Sequence, residues 1–153
     1  MDGAQSINPD SGPQHITVSM RQIVMAPERG GARVIHIDGR GHPPLENISP
    51  RPSGHSIGHF ENGVLLTDVV GLPPGGGGLG GAIRAPATRL NERFELSPDG
   101  QRLTITYTYS DPEIYLKPFS YALQFDRQPK PSFALDEWCD AGDPKERYSI
   151  TPP

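Results

Sequence analysis

Glu92 is the residue whose position most invites chemistry. It shares a phase with Leu90, Phe94 and Leu96, while Arg89, Asn91, Arg93 and Glu95 take the other. A carboxylate on an apolar strand face is costly unless paired or hydrogen-bonded. Desolvation raises its pKa, which is how a general acid or base is tuned. The plainer reading pairs Glu92 with an arginine or a tyrosine and makes it a strut.

A second set surrounds Asn62-Gly63, a pair suited to the positive φ angles of a two-residue hairpin turn. That turn sets Glu61 opposite Val64, His59 opposite Leu66, Ile57 opposite Asp68 and His55 opposite Val70. One face then carries His55, His59 and Asp68 among Ile57, Leu66 and Val70, with both histidines diagonal to Asp68. The other face carries Phe60, Leu65 and Val69.

His36, Asp38, His42, His55, His59 and Asp68 are residue types that suit zinc, iron or manganese. No tight ligand motif accompanies them, and polar pocket residues are the better reading, so no metal and no cofactor is expected. Gly76 to Gly81 matches G-x-G-x-x-G formally. Pro86 and a strand follow where a dinucleotide site needs a helix, so the tract reads as a loop, a candidate lid. Ser56 lacks the nucleophile-elbow pattern, and Cys139 beside Trp138 reads as a packed thiol. Tyr107, Tyr109, Tyr115 and Tyr121 offer hydroxyls from strand positions that are usually core.

Strands must position these groups. Period-two alternation marks segments from His15 to Met25 with a bulge, Arg33 to Asp38, His55 to Phe60, Val64 to Val70, Leu90 to Leu96, Leu103 to Tyr109, Phe119 to Phe125 and Phe133 to Trp138. Ser97-Pro98-Asp99-Gly100 is a turn, and the prolines and glycines of residues 39–54 make a loop. The expected fold is all-β: an antiparallel barrel of about eight strands, lipocalin-like, with long Pro/Gly loops and room for one small ligand. A β-sandwich is the alternative. Residues 1–13 read as a flexible lead-in, 14–140 as one barrel domain and 141–153 as a polar tail.

Composition narrows the function classes. The chain has 153 residues, with Gly 18 and Pro 18. Leu, Ile, Val and Phe together make up only about a fifth of it, a lean core above the disorder threshold. A net charge of −4 argues against nucleic acid. One cysteine excludes an internal disulfide framework. No apolar run approaches the ~18 residues of a membrane span. The first residues carry no signal-peptide pattern, which predicts a cytoplasmic protein, or a periplasmic one if an export signal has been removed.

Several blocks resemble a large bacterial protein family. They are Ile37-Asp38-Gly39-Arg40-Gly41-His42-Pro43, Gly54-His55-Ser56-Ile57-Gly58-His59-Phe60-Glu61, Leu65-Leu66-Thr67-Asp68, Asn91-Glu92-Arg93-Phe94 and Asp111-Pro112-Glu113-Ile114-Tyr115-Leu116-Lys117-Pro118-Phe119. The family pattern runs D-G-R-x-H-P, G-x-S-I-G-x-W-E, E-R-F and D-P-x-x-Y-x-x-P-W. Phe60 and Phe119 stand where the family usually has tryptophan, and Arg84-Ala85-Pro86 replaces a His-Ser-Glu stretch. That family has no settled function, so the resemblance implies no reaction.

The leading expectation is a cofactor-free enzyme, a lyase, hydratase or isomerase acting on a small, partly apolar organic molecule. Glu92, His55, Asp68 and Tyr107 would be catalytic, with Arg40, His42, His59, Arg93 and Tyr115 binding substrate. The alternative is a non-catalytic small-molecule-binding barrel. A third reading is an interaction module that forms a homodimer through an apolar face.

Overall fold

The computed structural model describes residues 14–27, 31–76 and 81–128. The expected lead-in, the heart of the glycine tract, the strand expected at Phe133 to Trp138, Cys139 and the tail lie outside the described residues.

Among the described residues eight strands form one sheet: β1 (Gln14–Val18), β2 (Gln22–Pro27), β3 (Arg33–His36), β4 (His55–Glu61), β5 (Val64–Val70), β6 (Arg89–Leu96), β7 (Arg102–Ser110) and β8 (Phe119–Asp126). They pair in chain order and curl through 234° as a half-barrel. A single curled sheet answers the choice between barrel and sandwich in favour of the open barrel.

Two details differ from the sequence reading. The first expected strand is a hairpin, β1 and β2, folded at Ser19–Arg21. Ser19 makes the fold locally: its hydroxyl donates to the Gln22 carbonyl at 2.8 Å and accepts from the Gln22 amide at 3.1 Å. The phase shift that suggested a bulge is this turn. The other detail is that β3 and β4 pair parallel, Ile35 with Ser56 and His36 with Ile57. A parallel pair needs a crossover, and residues 37–54 provide it.

The remaining pairings follow the alternation. At the β4–β5 turn Asn62 has φ 49° and Gly63 φ 82°, and the expected register holds from Glu61 opposite Val64 to His55 opposite Val70. Along β6 and β7 Glu92 lies opposite Tyr107. The inner face buries Ile23, Met25, Ile35, Leu65, Val69, Leu90, Phe94, Ile105, Tyr107 and Tyr109. Toward β8 it continues as Phe119, Tyr121, Leu123 and Phe125, all half-buried. The outer face carries the polar alternates.

Gly54 lets the crossover enter β4. Its φ is 58°, and a Cβ there would stand 2.6 Å from Val69 Cγ1 and 2.7 Å from the Val70 carbonyl oxygen. Gly54→Ala therefore combines positive-φ strain with a clash against backbone. Urea unfolding should show a loss of at least ~2 kcal/mol, the range of strained or overpacked sites. An unchanged midpoint would mean that the strand entry is not constrained as described.

Candidate functional site

The alternation that builds the half-barrel sorts the candidate residues onto two faces. Glu92 and Tyr107 point inward; His55, His59, Asp68 and Arg93 point outward. The four expected catalytic residues therefore do not meet in one site.

Glu92 is 2% exposed and its carboxylate is fully engaged. Arg33, 1% exposed, reaches it with a two-toothed ion pair: Nη1 donates to Oε1 at 2.7 Å and Nη2 to Oε2 at 2.5 Å. The Thr67 hydroxyl adds a bond to Oε2 at 2.6 Å, and Arg33 Nε donates to Ser56 Oγ at 3.0 Å. Fork-to-carboxylate pairing of this kind is strong and directional. It leaves neither carboxylate oxygen facing open space, so the strut reading fits the geometry and the acid–base role has no free oxygen. Arg33 and Thr67 escaped the sequence reading, which weighed Ser56 only as a nucleophile. Arg33 shares the phase of Ile35, which was the available signal for an inward guanidinium.

Tyr107 stacks on Tyr121 with ring centroids 5.0 Å apart. Burial, reinforced by nearby Glu92, pushes its hydroxyl pKa far up, so it stays protonated. Tyr115 is also occupied: its hydroxyl accepts from the Ile83 amide and donates to the Ile83 carbonyl, both at 2.7 Å. It pins one connecting segment against another.

The outer face is different. Two cross-strand rows run over β4 to β7. One is Ile57, Asp68, Asn91 and Thr108; the next is His59, Leu66, Arg93 and Thr106. With Gly39 and Arg40 of the crossover they line an open cleft of about 610 Å³. Ile57 and Leu66 give it an apolar floor, and Arg40, Arg93, His59, Asp68 and Asn91 give it polar groups. Asn91, Thr106 and Thr108 were not singled out from sequence, although they are the polar alternates facing named residues.

Both arginines are positioned by carboxylates. Arg40 binds Asp38 through Nε at 2.8 Å and Nη2 at 2.6 Å, which brings the Asp38 carboxyl down to about 2. Arg93 Nη2 donates to Glu95 at 2.8 Å. Each guanidinium keeps further N–H donors beyond those contacts.

Beside the cleft, Asp68 lies 3.4 Å from His42 Nε2 and 3.2 Å from Arg89 Nη2. His42 Nδ1 is 2.8 Å from His55 Nδ1, and the His55 ring lies 5.5 Å from that of His36. The His42–Asp68 contact becomes an ion pair only when His42 is protonated, and the buried Nε2 makes no well-formed hydrogen bond among the described residues. Burial lowers the pKa of His42, helped by Arg89 and opposed by Asp68. Burial also lowers that of His55, aided by His42, His36, Arg40 and Arg51. Among the described residues no three His, Cys, Asp or Glu side chains are arranged to hold a metal ion. Nor is any helix there long and apolar enough to cross a membrane.

Compared with family models, curated proteins and solved structures, the chain has no match.

Removing one partner of the buried pair should cost far more than removing both. Arg33→Met leaves a buried carboxylate uncompensated and should destabilise by ~3–5 kcal/mol in urea unfolding. Arg33→Met with Glu92→Leu should recover most of that loss. A single variant within ~1 kcal/mol of wild type would show that the pair carries little of the stability.

Proposed function

We propose that this protein binds a small, partly apolar organic anion in the outer-face cleft, without using Glu92 for chemistry. The observation that carries the reading is the cleft's composition. The lining combines the apolar Ile57 and Leu66 with Arg40 and Arg93, each guanidinium bonded to a neighbouring carboxylate and retaining further N–H donors. Sites for small molecules commonly combine such apolar lining with a few fixed polar groups. Asn91, Thr106 and His59 add hydrogen-bonding groups, and the Asp68 carboxylate stands in the same lining. The acid–base reading centred on Glu92 draws no support from a carboxylate whose oxygens are both taken.

Benzenesulfonate is a suitable probe, because it is small, flat and charged at every working pH. Titration followed by amide chemical shifts should perturb Leu66, Asp68, Asn91 and Arg93. Benzamide, its uncharged counterpart, should bind about tenfold more weakly, equivalent to ~1.4 kcal/mol. Arg93→Gln should weaken the sulfonate by a similar factor and leave benzamide unchanged. Equal binding of the two probes, or shifts confined to the inner face around Tyr121, would overturn the reading.

A further inference from the structure

The wall of the cleft is held by little. Across residues 38–47 every residue except His42 is exposed, and the Asp38 side chain, 20% exposed, is covered by Arg40 of the same stretch. The backbone bonds within this stretch are local, such as Asn47 N to Pro44 O and Arg40 N to the Asp38 carboxylate. His42 is thus the anchor that lays Gly39 and Arg40 over the sheet, through its contacts with His55 on β4 and Asp68 on β5.

We infer that the His42–His55 pair is a proton-operated latch on the cleft, closing its Gly39–Arg40 wall when neutral or singly protonated and releasing it when both rings are charged. This rests on the cleft being the ligand site.

The latch follows from counting protons. His42 Nε2 faces the Asp68 carboxylate, which favours a proton on that nitrogen. Neutral His42 then has a lone pair on Nδ1, and His55 Nδ1–H donates to it. A first added proton leaves the shared bond intact, because one Nδ1 still lacks a hydrogen. A second proton puts an N–H on both Nδ1 atoms, 2.8 Å apart, and turns attraction into repulsion between two cations. The two rings therefore titrate as a coupled pair.

The surroundings set the direction. His36 from β3, Arg40 and Arg51 from the crossover, and Arg89 from β6 all oppose a second charge, and among the described residues Asp68 is the carboxylate that favours one. Both histidines have folded-state values below the free-histidine value of about 6.5. The latch is therefore complete above that value and is lost as pH falls through the lowered values.

Hydrogen exchange and benzenesulfonate binding, each measured at pH 7.5 and at pH 5, test this on the full chain. After correction for intrinsic rates, amides of residues 38–42 should exchange about tenfold faster at the lower pH. His55→Gln offers an uncharged N–H to His42 at either pH and should abolish the change. Binding gives an opposite-signed control. Extra histidine charge alone would tighten an anion, whereas loss of the wall weakens it. Wild type should therefore bind the sulfonate several-fold more weakly at pH 5, and His55→Gln should bind it no more weakly than at pH 7.5. Exchange that ignores pH, or that accelerates equally in His55→Gln, overturns the latch. Acid-accelerated exchange in a protein that binds no sulfonate at either pH overturns the cleft reading and keeps only a pH-dependent segment. Acid-accelerated exchange with sulfonate binding that does not weaken leaves the wall without a role in binding and overturns the inference.

Discussion

The tightest constraint on the fold is one buried charge pair, neither partner of which can be removed alone without leaving a buried charge. Arg33 enters the inner face from β3 and ends on Glu92 of β6, with Ser56 of β4 and Thr67 of β5 bonded along the way. Four consecutive strands thus contribute to one polar node. The crossing is possible because the inner phase of β4 is small there. Ser56 offers only a hydroxyl, and at Gly58 a Cβ would meet the Leu66 carbonyl oxygen at 2.9 Å, with Ile35 and Thr67 methyls at 3.2 Å. A flat sheet could not bring β3 within reach of β6, so the pair also requires the curl. Burying two charges costs several kcal/mol per ion before their attraction is counted, and full hydrogen bonding offsets that cost. The pair is therefore compatible only with a curvature and register that bring β3 within reach of β6.

This constraint also divides the molecule by function. The inner face spends its polar groups on structure: Glu92 on Arg33, and Thr88 on Asp111 through a 2.7 Å bond. Its tyrosines stack on one another toward β8. The outer face keeps polar groups that are positioned and partly open to solvent, with Asp68 29% exposed. Groups of the second kind can change partners when a ligand or a proton arrives, and groups of the first kind cannot do so without unfolding.

The crossover between β3 and β4 links the two roles. It exists because that one strand pair is parallel, and its length carries Gly39 and Arg40 back across the outer face. A connection of that sort with local backbone bonds is tied by side chains, here by His42. The proton-sensitive element of the molecule is thus also its most weakly held segment next to the cleft.

Much of this was legible in the residues themselves. Alternation placed β4 to β8, Asn62-Gly63 set the β4–β5 register, and that register put His55, His59 and Asp68 on one face, as found. The inward phase of Glu92 was equally plain, because a side-chain period of two needs no tertiary information. Local signals were insufficient where the chain turned on a side chain: Ser19 folded an apparent single strand into two. They were insufficient again where strands distant in sequence met. Neither the parallel β3–β4 pairing, nor the reach of Arg33 to Glu92, nor the approach of His42 to His55 has a periodicity to betray it. Sequence determined which side of the sheet each group faces. Only the curl and the crossover decided which groups meet, because those contacts join strands through space rather than along the chain.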